Sequence, residues 1–282
     1  MKIGIFDSGL GGLITMRGIV GRLPEYDYVY LGDTKRVPYG NRSQQTIYEF
    51  TEAAVRFLFE RDCGLVIIAC NTASTEALRR IQQEFLPKFL ADRRVLGIII
   101  PTVETAIERG SRRLGVIGTP ATVRSGVYPR ELRKLRPDIE VLQVATPLLA
   151  PMIENGGAKW LEPILADYLK PLLEKNIDTL VLGCTHYPIA KEMIRSIAGP
   201  GIQVICQDEL APGKLEAYIR RHPEIEARLS KKGDKTFFAT DITETLRSLA
   251  ASWFGRNADL RQAELHLAVA APGTKGTGET FA

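Results

Sequence analysis

The chain has 282 residues, of which 45% are hydrophobic and 25% charged, and its formal net charge is +4. These proportions are ordinary for a folded globular protein and exclude a fibrous or largely disordered chain. Acidic and basic residues are interleaved rather than gathered on one face, so we expect no nucleic-acid groove, and no run of about 18 apolar residues predicts a membrane span.

Short apolar segments alternate with longer amphipathic ones, a pattern typical of βα units around a parallel sheet. The predicted strands, in chain order, are Lys2–Phe6, Tyr28–Leu31, Leu65–Ala69, Val95–Ile100, Arg113–Ile117, Glu140–Val144, Thr179–Gly183 and Gln203–Ile205. The clearest predicted helices are Gln44–Glu60, Ser74–Phe85, Thr102–Arg109, Val123–Leu135, Ala158–Lys175 and Ala190–Ile197. The fold class is therefore α/β with mainly parallel sheets.

Parts of the chain repeat. The segment LFERDCGLVIIAC at 58–70 matches LLEKNIDTLVLGC at 172–184, and KIGIFDS at 2–8 matches RLGVIGT at 113–119. The matching segments follow one another in the same order in both halves. We therefore expect two similar, pseudo-symmetric α/β domains, with an active site in the cleft between them.

The repeat also predicts the domain boundaries. The first domain takes residues 1–97 and about 208–265, and the second takes residues 98–207. Residues 271–278 are small, polar and rich in glycine, a composition typical of a flexible tail, which we expect over 266–282.

Each copy of the longer repeat ends in a cysteine, Cys70 or Cys184, at the carboxyl end of a predicted strand. Ligands of parallel sheets bind at that edge, so two facing domains would place two thiols on opposite walls of one cleft. The remaining cysteines, Cys63 and Cys206, have no adjoining polar motif, and we interpret them as buried structural residues. Four scattered cysteines do not form a disulfide framework, which indicates a reducing, cytoplasmic location.

Other strand ends also carry polar residues. Asp7 opens the glycine-rich stretch DSGLGG at 7–12, whose backbone amides can approach a small anion, although its spacing is not that of a nucleotide-binding loop. Asp33 ends the second strand ahead of the turn Pro38-Tyr39-Gly40, and the simplest interpretation of Asp33 alone is a turn cap.

The segment Cys184-Thr185-His186 places an imidazole two residues from a thiol, which can make a thiolate available near neutral pH. Inverting a stereocentre by proton transfer needs a base on one face of the carbon and an acid on the other, and two thiols can exchange those roles. Fixed hydrogen-bond donors can offset the carbanion charge without a cofactor. Two alternatives remain open: a zinc site of Cys70, Cys184, His186 and Asp7, and a non-catalytic anion-binding module.

Five motifs carry a resemblance to a known family. They are DSGLGGL at 7–13, GDTKRVPYG at 32–40, ACNTAS at 69–74, GVIGTPATVRSGVY at 115–128 and GCTHYP at 183–188. In this order they resemble glutamate racemase, a cofactor-independent enzyme family that makes D-glutamate for peptidoglycan, and the resemblance runs from residue 2 to about 210. An aspartate or hydantoin racemase, or a decarboxylase, built on the same frame is the nearest alternative.

The resemblance implies roles for individual residues. Cys70 takes the α-proton of D-glutamate and Cys184 that of L-glutamate, with Asp7 supporting the first thiol and His186 the second. Further catalytic acids are Asp33 and Glu154. The implied substrate contacts are Asp7, Ser8, Pro38, Tyr39, Gly40, Cys70, Asn71, Thr72, Thr119, Thr122, Cys184, Thr185 and His186. The resemblance implies glutamate as the small-molecule substrate, no cofactor, no metal and a homodimer.

Overall fold

The computed structural model describes residues 1–89 and 92–267. Its strands are β1 (Lys2–Asp7), β2 (Tyr28–Gly32), β3 (Cys63–Ile68), β4 (Arg94–Gly97), β5 (Arg113–Gly118), β6 (Glu140–Ala145), β7 (Thr179–Gly183), β8 (Gln203–Ile205), β9 (Lys235–Ala239) and β10 (Leu260–Gln262). They form two sheets, in the orders β10-β9-β2-β1-β3-β4 and β6-β5-β7-β8. All neighbouring strands are parallel.

Helices connect the strands and cover the sheets. They are α1 (Gly12–Arg22), α2 (Gln44–Glu60), α3 (Asn71–Glu76), α4 (Leu78–Arg80), α5 (Leu86–Phe89), α6 (Ile99–Glu108), α7 (Pro120–Arg124), α8 (Val127–Leu135), α9 (Leu149–Glu154), α10 (Ala158–Leu173), α11 (Lys191–Ala198), α12 (Gln207–Arg221), α13 (Pro223–Glu226) and α14 (Glu244–Trp253). A π-helical turn at Ile81–Phe85 joins α4 to α5. Short 3₁₀ turns lie at Thr34–Arg36, Tyr39–Asn41 and Tyr187–Ala190.

The two sheets repeat one strand order. β1 lies between β2 and β3, with β4 outside β3, and β5 lies between β6 and β7, with β8 outside β7. β3 and β7 are buried along their whole length, as expected for parallel strands covered on both faces by helices. The repeated segments of the sequence therefore occupy equivalent positions, and both repeated cysteines follow an inner strand.

Residues of both sheets share one apolar core. Ile5 of β1 and Val116 of β5 belong to the same buried cluster, together with residues of α1, α6, α8 and α12. The helices α1 and α12 pack against each other extensively, and α12 also contacts α6. This shared core holds the two sheets together, and the loops at their carboxyl ends meet.

Several predicted elements have different bounds in the structure. The predicted strand Val95–Ile100 is too long, because β4 ends at Gly97 and Ile99 already begins α6. An unbroken apolar run reads the same in a strand and in a buried helix, so the sequence did not reveal this boundary. The predicted helix Ser74–Phe85 begins earlier, at Asn71, and is interrupted at Ala77.

Two strands and a second helix break were also not predicted. β9 and β10 lie within 208–265 and extend the first sheet beyond β2, although the division into domains itself stays a prediction. The predicted helix Val123–Leu135 is two helices, α7 and α8, separated at Gly126, whose φ is +59°. The predicted tail at 266–282 lies outside the described residues from 268 onward. Across the described ranges, no helix combines the length and apolarity needed to cross a bilayer.

Gly126→Ala should lower the free energy of unfolding by about 1 kcal/mol, because an alanine is strained at positive φ. Nothing lies within 4 Å of the position that its Cβ would take, so strain rather than a clash causes the loss. Gly213→Ala is the matched control: it also has open space but lies inside α12, and should stabilise the protein by up to about 1 kcal/mol. Urea denaturation measures both changes, and equal effects of the two variants would contradict the assignment of the break to Gly126.

Candidate active site

A cavity of about 80 Å³ lies between the carboxyl ends of the two sheets. The loops after β1, β2 and β3 contribute Ser8, Gly9, Val37, Pro38, Tyr39, Gly40, Cys70, Asn71 and Thr72. The second sheet contributes Thr119, Ala150, Pro151, Glu154, Gly183, Cys184, Thr185 and His186. The structure thus brings both repeated thiols to one cavity, one from each sheet.

Cys70 caps the N-terminus of α3 and is 5% exposed. Its Sγ lies 3.2 Å from the Ser8 Oγ and accepts a hydrogen bond from the Ala73 amide at 3.4 Å. Burial raises the pKa of the Cys70 thiol to about 12, and the neighbouring Asp7 carboxylate adds to the shift, whereas the bonds from Ser8 and Ala73 oppose it. These surroundings favour the protonated thiol and also provide donors for the thiolate.

Cys184 has a different partner. Its Sγ lies 3.6 Å from Nδ1 of His186, and the opposite ring nitrogen, Nε2, lies 2.7 Å from Oε1 of Glu154. Burial alone would lower the pKa of His186, but its hydrogen bonds to Cys184 and Glu154 raise that pKa well above the ordinary value. A protonated imidazole donates from both nitrogens, so His186 can donate to the sulfur and to the carboxylate at once.

Asp7 joins the two halves of the site from below the cavity. It is fully buried, accepts from the Gly9 amide at 3.2 Å, and accepts from the Thr185 hydroxyl of the other sheet at 3.2 Å. Burial raises the pKa of Asp7, while the charge of His186 and the hydrogen bonds oppose this. The close contact between the loop after β1 and the loop after β7 requires glycine at position 11, where a Cβ would lie 2.6 Å from the Thr185 Oγ1 and 2.9 Å from the His186 ring.

Three predicted site residues, Asp7, Asp33 and Thr122, lie behind the lining rather than in it. Asp33 accepts from the Tyr39 hydroxyl at 2.5 Å and from Thr240 at 2.8 Å, so it reaches the cavity through Tyr39. Burial raises the pKa of Asp33, and its bond from Tyr39 is the main opposing contribution. Asp33 therefore holds a lining residue in place.

Thr122 belongs to a contact between the sheets. The hydroxyls of Thr72 and Thr119 lie 2.8 Å apart across the cleft, and Thr122 lies 3.1 Å from Thr119 and 3.4 Å from Thr72. Gly40 packs on the same place, since a Cβ there would lie 2.8 Å from Cβ of Thr119. This threonine cluster closes one side of the cavity.

Sequence reasoning missed several residues around the site. Val37, Ala150 and Pro151 line the cavity, and the ring of Trp253 stands edge-on to His186 with centroids 5.6 Å apart. Gln207 is hydrogen-bonded to Asn71 from behind. Pro151 lies three residues before the predicted Glu154, but no local pattern singles out Trp253 or Gln207, because both approach from distant parts of the chain.

The described lining residues include no lysine or arginine. A negatively charged ligand would therefore be bound by neutral donors, the hydroxyls of Ser8, Thr72, Thr119 and Thr185 and the amide of Asn71, with protonated His186 as the nearby cation. Among the described residues, no group of three or more His, Cys, Asp or Glu side chains is arranged to hold a metal ion. The arrangement places two sulfur atoms that can carry protons on one cavity, one from each sheet.

Comparison with known proteins identifies similar chains. Residues 15–211 match the family described as Asp/Glu/Hydantoin racemase. The glutamate racemase of Phenylobacterium zucineum is 38% identical over 277 residues, covering 90% of this chain and 97% of that relative. A glutamate racemase isoform of Bacillus anthracis superposes with a TM-score of 0.85 at 30% identity, covering 94% of this chain and 97% of its own. The Francisella tularensis glutamate racemase, solved with D-glutamate, gives 0.84 at 32% identity, covering 93% and 97%.

Glu154→Gln should lower the pKa of His186, because it removes the carboxylate that stabilises the imidazolium. NMR titration can follow His186 alone in a variant whose other two histidines, His222 and His266, are replaced by glutamine. Glu162→Gln, the same change at an exposed position of α10, is the control and should leave the titration unchanged.

The same pair should affect stability in one pH range. A raised pKa of His186 contributes stability that is fully present below about pH 6.5 and is lost as pH rises through the folded-state pKa. The difference in unfolding free energy between wild type and Glu154→Gln should therefore be largest below pH 6.5 and shrink above it. A difference that grows with pH would contradict the ion pair.

Proposed function

Because the chain belongs to the Asp/Glu/hydantoin racemase family, we propose that it interconverts L-glutamate and D-glutamate by proton transfer at Cα between two cysteines. The observation that carries the proposal is the placement of Cys70 and Cys184 on one cavity, each from a different sheet and each with its own hydrogen-bonding partner. Substrate identity rests on the glutamate racemases to which the chain is similar.

The reaction requires one thiolate and one thiol on opposite faces of Cα. With D-glutamate bound, the Cys70 thiolate removes the α-proton and the Cys184 thiol delivers a proton to the other face. L-glutamate reacts by the reverse path, so each turnover leaves the two sulfur atoms with exchanged protonation states. No oxidant or cofactor is needed, since the proton and the electron pair at carbon are both conserved.

The two helpers suit these roles in different ways. His186 lies against Cys184 and can hold the proton that this thiol gives up or takes back, while Glu154 stabilises the imidazolium. Asp7, whose own pKa is raised, interacts electrostatically with Cys70 and raises the pKa of that thiol. Asp33 contributes through Tyr39, with which it forms a buried hydrogen bond.

The carboxylates of glutamate would be bound by neutral donors. Ser8, Asn71, Thr72, Thr119 and Thr185 line the cavity with hydroxyl or amide groups, and the backbone of the turn at 38–40 lies beside them. In a buried site such preoriented donors stabilise developing negative charge more strongly than water does. Thr122 and Asp7 support this set from behind.

We further propose that the enzyme supplies D-glutamate for peptidoglycan, that it works in the cytoplasm and that it forms a homodimer. A cytoplasmic location agrees with four free cysteines, all buried.

The exposed side chains of Leu148, Trp160 and Ile189 on the second sheet's helices and turns offer apolar area for a second copy. Sedimentation equilibrium gives the oligomeric state, and a monomer at all concentrations would exclude the dimer.

Racemisation in deuterated water should place deuterium at Cα of the product in both directions, because each thiol carries solvent-derived hydrogen to one face. Mass spectrometry after partial conversion measures the label. Conversion without label at Cα would exclude proton transfer at that carbon.

Cys70→Ala and Cys184→Ala should each abolish racemisation, lowering kcat by at least about a thousandfold, since each removes one of two required proton carriers. Cys63→Ala and Cys206→Ala are the matched controls: both are buried cysteines that do not line the cavity, and both should retain activity if folded. Full activity in Cys184→Ala would refute the pairing of the two thiols.

Assays with L-glutamate and L-aspartate side by side should show preference for glutamate, and activity should persist in EDTA. A preference for aspartate would assign the chain to the alternative racemase of the same frame. Loss of activity in EDTA, restored by zinc, would instead favour the metal site that the sequence left open.

A further inference from the structure

Behind the cavity, four buried polar side chains form one hydrogen-bond network. They are Asn71, Thr102, Tyr128 and Gln207, each at most 2% exposed. They come from four different helices, α3, α6, α8 and α12 respectively. The chain passes from the first sheet to the second at α6 and returns to the first at α12. The network therefore lies where both sheets join.

The network has a fixed polarity. The Thr102 hydroxyl donates its one hydrogen to the backbone carbonyl of Ile98 at 2.7 Å, so its oxygen can only accept further bonds. The side-chain atom of Gln207 that faces it, at 3.3 Å, must therefore be the nitrogen Nε2. The backbone carbonyl of Ile98, which can only accept a hydrogen bond, thus determines the orientation of the Gln207 amide.

The polarity passes from Gln207 to Asn71. Gln207 Oε1 accepts from Asn71 Nδ2 at 2.6 Å, and Gln207 Nε2 donates to Asn71 Oδ1 at 2.8 Å. The Tyr128 hydroxyl donates to the same Asn71 Oδ1 at 2.8 Å and lies 3.0 Å from Gln207 Nε2. Both lone pairs of the Asn71 oxygen are therefore used, and its remaining capacity is one N–H.

We propose that Gln207 is a positioning residue that locks the Asn71 amide so that Asn71 presents only a hydrogen-bond donor to the substrate. Asn71 lines the cavity whereas Gln207 does not, so Gln207 acts through Asn71 alone. The inference rests on the proposed function, in which a carboxylate of glutamate meets this donor. An Asn71 amide turned the other way would direct an oxygen at the carboxylate and repel it.

Gln207→Glu tests the lock with little change in shape. A protonated carboxyl donates its O–H to Asn71 Oδ1 as the amide does, but an ionised one puts an acceptor there and drives the Asn71 amide to turn over. Burial raises the pKa of such a carboxyl into the range of about 5 to 9. Tyr128 is the titratable side chain that is hydrogen-bonded within this network. Burial, and after it the charge of Cys184, raises the pKa of Tyr128, so its hydroxyl stays a donor across that range.

In Gln207→Glu, KM for both enantiomers should therefore rise at least about tenfold as pH rises through this range, with a smaller change in kcat. Gln203→Glu makes the same chemical change at an exposed position of β8 and should keep the wild-type pH profile. Identical profiles for the two variants, with both folded, would overturn the lock.

Two further variants test the proposal if Gln207→Glu does not fold. Gln207→Leu and Thr102→Val remove donors or acceptors without adding charge, and both should raise KM without a new pH-dependent step. Unchanged KM in both folded variants would overturn the proposal.

Hydrogen exchange at the Asn71 side-chain N–H groups, followed by NMR, gives a readout that does not depend on activity. Exchange should be slow in wild type and at least about tenfold faster in Gln207→Leu. If wild type fails to racemise glutamate, the proposed function fails, and the exchange data still decide the lock: equal rates in the two proteins would refute it.

Discussion

The active site depends on hydrogen bonds that pass directly from one sheet to the other. Asp7 accepts from Thr185, Thr72 lies against Thr119, and Asn71 accepts from Tyr128, so each pair joins a residue in or after a strand of the first sheet to one that follows a strand of the second. A buried polar group without a partner costs about 1 to 3 kcal/mol, so these loops can bury their polar side chains only against each other. The shared apolar core beneath them, which contains Ile5 and Val116, sets the distance at which they meet. Neither half would form this site alone.

A repeated architecture here carries two unlike acid–base groups. Cys70 receives a hydroxyl and a backbone amide, while Cys184 receives an imidazole that is itself tied to Glu154. The repeat places the sulfur atoms at equivalent strand ends, and the loops that follow give them different surroundings. In the proposed reaction each enantiomer is deprotonated by a different sulfur atom, so this difference would give the forward and reverse reactions different pH dependences.

Much of the lining could be predicted from the sequence, because its residues follow strands that the apolar pattern marks, as Cys70 follows β3 and Cys184 follows β7. The partners behind the lining could not. Gln207 and Trp253 reach the site through tertiary packing that no local spacing encodes. Asp33 was predicted as a catalytic acid, but it is connected to the cavity only through Tyr39, because strand ends alone do not show which side chains face the cavity. The boundary at Ile99 was hidden for the same kind of reason, since apolar runs look alike in strands and buried helices.

The low exposure of the two thiols, 5% for Cys70 and 7% for Cys184, has a chemical consequence of its own. Oxidation of a cysteine by peroxide requires access of the oxidant to sulfur and increases with thiolate character. Burial therefore shields both sulfur atoms from peroxide. A ligand that fills the cavity between the sheets would cover the two sulfur atoms further, and so protect the protein against oxidation.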